Sequence, residues 1–227
     1  MRVVIAGGHG KIALRLERLL ATRGDDALGL VRNPDHVPDV ERTGAKGHVI
    51  DLEAATVDSL STTLGGADAV VFAAGAGPGS GAARKDTVDR AAAVLLADAA
   101  VAGGVPRYLL VSSIGVDGPA QPERGEVFAA YLRAKKAAEV EVARRPVALT
   151  VLRPGSLTDE PGTGRVRLGR PPLGRGTVTR DDVAATLVAL LDAPASRVGG
   201  LVLDVLNGET SVADAVAGVA THGEAGS

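Results

Sequence analysis

Short apolar runs alternate along the chain with longer segments in which apolar residues recur at helical spacing. The short runs predict strands at residues 3–6, 27–31, 48–50, 69–74, 108–111, 147–152 and 201–205. The longer segments predict helices at residues 12–22, 56–64, 88–102, 127–144, 181–191 and 212–219. The strands lack polar alternation, which indicates burial on both faces and therefore parallel pairing.

This order of elements predicts an α/β protein with a doubly wound Rossmann fold. Right-handed crossovers would place helices on both faces of a mostly parallel sheet, with a small C-terminal extension on the substrate side. We expect a single domain over residues 1–220 and a disordered tail over residues 221–227. Residues 75–81, rich in glycine, are expected to form a second loose stretch.

Composition excludes several classes of function. The chain has no cysteine, and its four histidines are scattered without metal-ligand spacing, so we expect no metal site. A net charge of −2 argues against a nucleic-acid partner, and no apolar run reaches membrane-spanning length. The first residues lack the pattern of a secretory signal, so a cytoplasmic location is expected. The expected partner is a small-molecule substrate, and the sequence leaves the oligomeric state open.

A glycine-rich turn connects the first strand to the first helix. Gly7 permits a tight turn, Gly10 lets the backbone approach a pyrophosphate, and Ala13 allows the helix to pack close to the sheet. The first N–H groups of the helix then point towards phosphate oxygens. We expect the backbone of His9, rather than its ring, to take part. The predicted dinucleotide contacts in this turn are Gly7, His9, Gly10, Lys11 and Ile12.

The ends of the next two strands bear on which dinucleotide is bound. Arg32 follows the second strand, where an acidic residue usually binds the ribose of NAD and a cation accommodates the 2′-phosphate of NADP. We therefore expect NADP(H), with NAD(H) as the alternative cofactor and a solvated arginine as the alternative reading. Asp51, next to Leu52 after the third strand, could bind the adenine amine or simply form a turn.

Seven sequence segments together resemble the atypical short-chain dehydrogenase/reductases. They are GGHGKIA, LVRNP, IDL, FAAGAG, YLLVSSIG, the run from Tyr131 to Lys135, and LRPGSL. The most similar group is the small NAD(P)H-binding reductases akin to biliverdin/flavin reductases and to uncharacterised sugar-epimerase-like proteins. Ala13 replaces the third glycine of the motif. About 70 residues follow the sixth strand, which is short for the substrate lobe of a full-length sugar-nucleotide epimerase.

The resemblance implies roles for residues at the ends of later strands. Tyr131 and Lys135 match the Tyr-x-x-x-Lys pair of the family. Ser112 and Ser113 would lie beside the nicotinamide, and either could hold the substrate oxygen, with Ser113 assigned to catalysis. The adenosine-ribose side would be lined by Ala73, Ala74 and Gly75. The backbone behind the nicotinamide ring would be Pro154, Gly155 and Ser156.

The Tyr131–Lys135 spacing also has a direct chemical meaning. Residues four apart share one face of a helix, and a nearby ammonium stabilises a phenolate, so the pair could donate a proton during carbonyl reduction. The predicted function is an NADP(H)-dependent oxidoreductase that transfers hydride to a small carbonyl, quinone or flavin-like acceptor. A non-catalytic NADP(H) sensor and an epimerase/dehydratase-like enzyme are the alternatives. The Tyr–Lys pair favours an enzyme over a sensor.

Overall fold

The computed structural model describes residues 1–75, 81, 84–118 and 125–221. The centre of the predicted loose stretch, residues 76–80, and residues 222–227 of the predicted tail lie outside this part of the chain. Within it, no helix is long and apolar enough to cross a membrane.

Eleven strands and eight α-helices make up the described structure. The strands are β1 (Arg2–Ala6), β2 (Asp26–Val31), β3 (Lys46–Val49), β4 (Ala69–Phe72), β5 (Arg107–Val111), β6 (Ala148–Pro154), β7 (Ser156–Thr158), β8 (Arg165–Gly169), β9 (Thr177–Thr179), β10 (Val202–Asn207) and β11 (Thr210–Ser211). The helices are α1 (Lys11–Thr22), α2 (Val37–Glu41), α3 (Val57–Leu64), α4 (Ala92–Ala102), α5 (Glu126–Val142), α6 (Arg180–Asp192), α7 (Ala195–Val198) and α8 (Val212–Thr221). A 3₁₀ turn (Pro34–His36) precedes α2, and a π-helical turn (Lys85–Ala91) precedes α4.

Nine of the strands form one sheet in the order β11-β8-β10-β6-β5-β4-β1-β2-β3. From β10 to β3 every neighbouring pair is parallel, and β8 runs antiparallel to both β10 and β11. The chain proceeds outwards from β1 in one direction and returns to β4 on its other side. This arrangement confirms the predicted Rossmann fold, and its reversal point between β1 and β4 is where such sheets bind ligands.

Successive residues of each central strand point into two separate hydrophobic layers. In β1, Val3 and Ile5 pack with α1 and α6 on one face, whereas Val4 packs with α3 and α4 on the other. These side chains are fully buried. Burial of one such aliphatic side chain contributes about 1.5–3 kcal/mol. Helices therefore pack on both faces of the sheet and fix the carboxyl ends of its central strands.

The structure corrects the predicted elements at several points. The strands β7, β8, β9 and β11 were not predicted, because they are short and mostly polar or exposed. The predicted helix at residues 88–102 is a π-helical turn followed by α4, and β4 ends at Phe72 rather than at residue 74. The four strands that were not predicted come after β6 in the chain, where they support the residues that follow β6.

Candidate cofactor and active site

The turn between β1 and α1 is built around two glycines. Gly7 has φ +83°, and a Cβ atom on it would lie 2.6 Å from the Cα atom of Ala74. The N–H of Gly10 donates to the Gly7 carbonyl at 2.7 Å, and a Cβ atom on Gly10 would lie 3.0 Å from the same oxygen. Position 7 therefore requires glycine for the close approach of the segment after β4, and Gly10 leaves the backbone face of the turn open.

The N-terminus of α1 is suited to binding an anion. Gly10 is its N-cap and provides no side-chain cap, and the first turn contains no acidic residue. The first N–H groups of a helix have no partner within it, and the helix dipole favours negative charge there. The side chain of Lys11 is exposed and pairs with Asp159 at 2.6 Å, while Ile12 packs against the core. This uncapped cradle fits a pyrophosphate.

The ring of His9 is held away from its own loop. It stacks on His36 with ring centroids 3.6 Å apart, and its Nε2 atom lies 2.7 Å from the carboxylate of Asp39. Asp39 also pairs with Arg42. The ring is therefore engaged by the segment after β2, which agrees with a backbone role for His9 in the glycine turn.

Arg32, at the end of β2, faces a carboxylate that sequence reasoning did not identify. Its side chain is 56% exposed, and its guanidinium lies 3.2 Å from the carboxylate of Glu53. Glu53 also accepts hydrogen bonds from Thr87 at 2.7 Å and from Arg84 at 2.6 Å. The hydrogen bond from Thr87, reinforced by Arg84, lowers the pKa of the Glu53 carboxyl. A 2′-phosphate at Arg32 would therefore compete with Glu53 for the guanidinium.

Asp51 forms the turn after β3. Its side chain accepts a hydrogen bond from the N–H of Glu53 at 3.0 Å, and its carbonyl accepts from Ala55 at 2.8 Å. Leu52 is partly buried against the hydrophobic layer of α3 and α4. Contact of Asp51 and Leu52 with an adenine ring stays a prediction.

The residues after β4 line the crevice opposite the glycine turn. Ala73 continues the pairing of β4 with β1 by donating to the Ala6 carbonyl at 3.0 Å. Ala74 closes against Gly7, and a Cβ atom on Gly75 would lie 3.1 Å from the carboxylate of Asp89. Small residues are therefore needed here because the chain passes between the turn and a buried acid.

Lys135 is a buried anchor in the structure. Its ammonium donates to the carbonyls of Ala74 at 3.2 Å and Val111 at 3.1 Å, and it pairs with Asp89 at 3.2 Å. Only 5% of its side chain is exposed. The ammonium lies 5.9 Å from the ring centroid of half-buried Tyr131. The structure thus brings Tyr131 and Lys135 together at the carboxyl ends of β4 and β5.

The two serines after β5 have different environments. Ser112 is buried and donates to Glu139 at 2.5 Å. Ser113 is only partly buried, and its hydroxyl donates to the carbonyl of Ile114 at 3.1 Å. The N–H of Ile114 in turn donates to the Pro154 carbonyl at 3.0 Å. Of the two, Ser113 is therefore better placed to meet a substrate.

The segment after β6 is held by β10 and by the residue that precedes β9. Ser156 donates its N–H to the carbonyl of Gly176 at 2.9 Å, and Gly155 donates to Val205 at 3.0 Å. A Cβ atom on Gly155 would lie 2.4 Å from the side chain of Leu206, so only glycine fits. Pro154, Gly155 and Ser156 therefore form a fixed backbone wall beside the serines.

A buried ionic network lies beneath this wall. The guanidinium of Arg153 binds the carboxylate of Glu139, with Nε at 2.8 Å, and reaches Asp117 at 2.5 Å. Burial opposes the charge of Arg153, but the hydrogen bonds to Glu139 and Asp117 outweigh it and raise the pKa of the guanidinium. Because Glu139 also accepts a hydrogen bond from Ser112, the network fixes the start of the loop after β5, which carries Ser112 and Ser113. The signal for Glu139 in the sequence is its position four residues after Lys135 on the same helix.

A further buried acid lies under the glycine turn. Glu17, on α1, is fully buried, and neither carboxylate oxygen has a hydrogen-bond partner among the described residues. Burial raises the pKa of Glu17 to about 8. A Cβ atom on Gly29 would lie 2.4 Å from its Oε1 atom, so β2 needs glycine at this point.

Comparison with known proteins identifies the class. The chain belongs to the NAD(P)H-binding family, whose model matches residues 7–194, and this confirms the resemblance noted in the sequence. It is 30% identical to the uncharacterized sugar epimerase YhfK of Bacillus subtilis, over 95% of this chain and 99% of that protein.

Two solved structures extend the likeness over nearly the whole chain. A putative NAD-dependent epimerase/dehydratase from Bacillus halodurans is 33% identical with a TM-score of 0.86, covering 96% of this chain and 99% of its own. The oxidoreductase ylbE from Lactococcus lactis is 27% identical with a TM-score of 0.83, covering 99% of both chains. The chain is thus a Rossmann-fold NAD(P)H-binding protein of oxidoreductase/epimerase type.

Proposed function

We propose that this protein is an NADP(H)-dependent reductase that acts on a small carbonyl, quinone or flavin-like acceptor, with Tyr131 as the proton donor. The observation that carries the proposal is the position of Tyr131 beside Lys135, whose ammonium is fixed to the ends of β4 and β5. These strand ends adjoin the reversal point of the sheet, where a dinucleotide would lie. The similarity to an oxidoreductase supports the same reading.

The cofactor would be held mainly by backbone. The N-terminus of α1 and the open face of Gly10 would bind the pyrophosphate, and Arg32 would bind a 2′-phosphate in exchange for its contact with Glu53. The wall at Gly155 would support the nicotinamide side. When bound, the nicotinamide supplies the hydride.

Side chains of the protein would donate the proton and stabilise the charge that its transfer leaves behind. As the carbonyl carbon accepts hydride, its oxygen gains negative charge, and the Tyr131 hydroxyl donates its proton to that oxygen to complete the alcohol. The Ser113 hydroxyl would donate a hydrogen bond to the same oxygen. Lys135 would favour the transfer because its positive charge stabilises the phenolate left behind.

The test is NADPH oxidation against a panel of carbonyls, quinones and flavins. Tyr131→Phe removes one oxygen and little volume, so the fold and NADPH affinity should survive while turnover falls about 10²–10⁴-fold. Tyr108→Phe is the matched control, because Tyr108 is fully buried and its hydroxyl donates to the Ala93 carbonyl, within the hydrophobic layer. Full activity of Tyr131→Phe on every accepted substrate would exclude the acid role.

Epimerisation is a second candidate, since two of the similar proteins carry epimerase names. An epimerase returns hydride to its substrate and consumes no NADPH overall. Two results together would favour epimerisation. Mass spectrometry would show a dinucleotide retained by the purified protein, and sugar-nucleotide isomers would interconvert without net loss of NADPH. If the wild type neither oxidises NADPH nor isomerises a substrate, yet binds the cofactor, a sensor role gains support.

A further inference from the structure

Glu17 is buried in α1 without a partner for its carboxyl group. Its side chain is fully buried, and neither of its oxygens has a hydrogen-bond partner among the described residues. An ionised carboxyl is costly to bury without a partner, so such a group keeps its proton to a higher pH. Burial accordingly raises the pKa of Glu17 to about 8. Glu17 takes no part in the proposed proton transfer, so its burial calls for another explanation.

Two glycines leave the space that the Glu17 carboxyl occupies. A Cβ atom on Gly8 would lie 3.0 Å from its Oε1 atom, and a Cβ atom on Gly29 of β2 would overlap the same oxygen. The N–H of Gly8 donates to the carbonyl of Leu30 at 2.9 Å, which fixes the turn against β2. The carboxyl therefore lies directly against the backbone of the glycine turn, in a space that a side chain at either position would fill.

The ionisable groups on the elements around Glu17 are paired elsewhere or exposed. Residues 3–6 of β1 and 27–31 of β2 carry no ionisable side chain. On the other elements, His9 of the turn pairs with Asp39 of α2, Asp39 also pairs with Arg42, Lys11 and Arg15 of α1 pair with Asp159 and with Asp181 of α6, Asp182 of α6 accepts from the backbone of Gly164, and Arg18 and Glu41 are exposed. Burial is accordingly the cause that raises the pKa of Glu17.

We propose that Glu17 couples binding of the dinucleotide to protonation: the protein binds NAD(P)H with Glu17 neutral, and ionisation of Glu17 weakens that binding. A pyrophosphate at the N-terminus of α1 brings negative charge to the turn against which Glu17 lies. Like charges repel, and a buried charge is screened less than an exposed one. Bound pyrophosphate therefore disfavours the ionised carboxyl, and by linkage the ionised carboxyl disfavours pyrophosphate to the same extent.

The affinity of the wild type for NADPH should therefore depend on pH in one direction. Below about pH 7.5 Glu17 is protonated in the free protein, so the affinity should be constant from about pH 6.5 to 7.5. Above about pH 8 binding requires uptake of a proton. The affinity should then fall by about tenfold by roughly pH 9.5, the order of magnitude for two charges that repel through protein. Calorimetric titration measures it, and circular dichroism at each pH establishes that the protein stays folded.

Variants identify the group that titrates. Glu17→Gln replaces the carboxyl by an amide of the same shape that does not ionise, so its affinity for NADPH should stay constant over the same pH range. Glu41→Gln removes an exposed carboxylate from α2 and should keep the pH dependence of the wild type. If Glu17→Gln does not fold, Glu17→Met serves the same test. A constant wild-type affinity up to about pH 9.5, or the wild-type pH dependence in a folded Glu17→Gln or Glu17→Met protein, would overturn the proposal.

Calorimetry in two buffers of different ionisation enthalpy counts the protons directly. At pH 8.5 the wild type should take up about half a proton more per bound NADPH than Glu17→Gln does. Equal uptake by the two proteins would contradict the coupling.

The inference goes beyond the proposed reductase function and requires only that the dinucleotide binds at the glycine turn. Neither binding measurement uses an acceptor substrate, so the two hypotheses fail separately. Proton uptake through Glu17 without oxidation of NADPH by any acceptor would retain the coupling and exclude the reductase. Oxidation of NADPH that depends on Tyr131, together with equal proton uptake by the wild type and Glu17→Gln, would do the reverse.

Discussion

The two ends of the candidate cofactor crevice are built from different kinds of group. The phosphate end, from Gly7 to the start of α1, relies on glycine backbone and on a helix terminus without a cap. The end near Tyr131 relies on buried charges that hold one another, notably Lys135 with Asp89 and Arg153 with Glu139. A backbone site tolerates most changes around it but no side chain in its path, whereas a charge network fails when one member is removed.

Removing one acid from the charge network should have the largest effect on the protein. Glu139→Gln leaves buried Arg153 with Asp117 as its remaining acidic partner and weakens the contact with Ser112. Loss of one member of a buried ion pair costs about 3–5 kcal/mol, so the free energy of unfolding should fall by that amount. Urea denaturation measures it. Glu141→Gln, on the same helix but more exposed, is the control and should cost less than about 1 kcal/mol.

The phosphate end contains a buried acid, Glu17, whose burial should lower stability as the pH rises. With the pKa of Glu17 raised to about 8, the folded protein keeps a proton that the unfolded chain releases above its usual carboxyl pKa. The free energy of unfolding therefore falls as the pH rises from about 4.5 to 8.

Glu17→Met removes this penalty. It should stabilise the protein by on the order of 2–4 kcal/mol at pH 9, and by much less at pH 5, where the wild-type carboxyl is already protonated. Urea denaturation of both proteins at several pH values checks the trend. A gain that does not change with pH would show that Glu17 is not the titrating group.

Gly10→Val should separate cofactor binding from folding. Gly10 has φ −67° and ψ 147°, which valine can adopt, so the fold should remain. The branched side chain would cover the open face of the turn and weaken NADPH binding by about 100-fold. Calorimetric titration measures the affinity. Gly218→Val, at a helical glycine with open space around it, is the control, and undiminished binding by Gly10→Val would place the pyrophosphate elsewhere.

Arg32→Asp should give a smaller effect of the same kind. Charge-assisted hydrogen bonds to a 2′-phosphate contribute about 1.5–3 kcal/mol, equivalent to roughly a ten- to hundredfold preference for NADPH over NADH. The variant should lose or reverse that preference, whereas Arg197→Asp, at an exposed position of α7, should keep it. Equal binding of both cofactors by the wild type would reduce Arg32 to the partner of Glu53.

The fold was predictable because the central strands are continuous apolar runs. Residues of β1, β4 and β5 are buried on both faces, and no other element type satisfies such runs at that length. The elements that were missed lack this signal. β8 has exposed arginines at residues 165 and 167 and owes its pairing to β10, and α2 has only five residues with a proline near its start.

The site was predictable only where local spacing determines it. The glycine turn and the Tyr131–Lys135 pair are local patterns, and both sit where the sequence indicated. Asp89 and Lys85 meet α5 from more than 40 residues away along the chain, and Glu53 meets Arg32 through a turn, so spacing holds no record of these contacts. Charge pairing of this kind is set by the packing of α5 against the turn before α4.

The two edge strands of the nine-stranded sheet affect how the molecule behaves at high concentration. One edge strand is β11, two residues long, and the other is β3, four residues long, whose first residue, Lys46, has an exposed side chain paired with Asp26. An exposed edge strand can pair with the edge strand of another molecule, and a short or charged edge strand resists such pairing. Neither edge strand offers a long run of unpaired backbone amides. We therefore expect concentrated solutions to form no fibrils through pairing of this sheet.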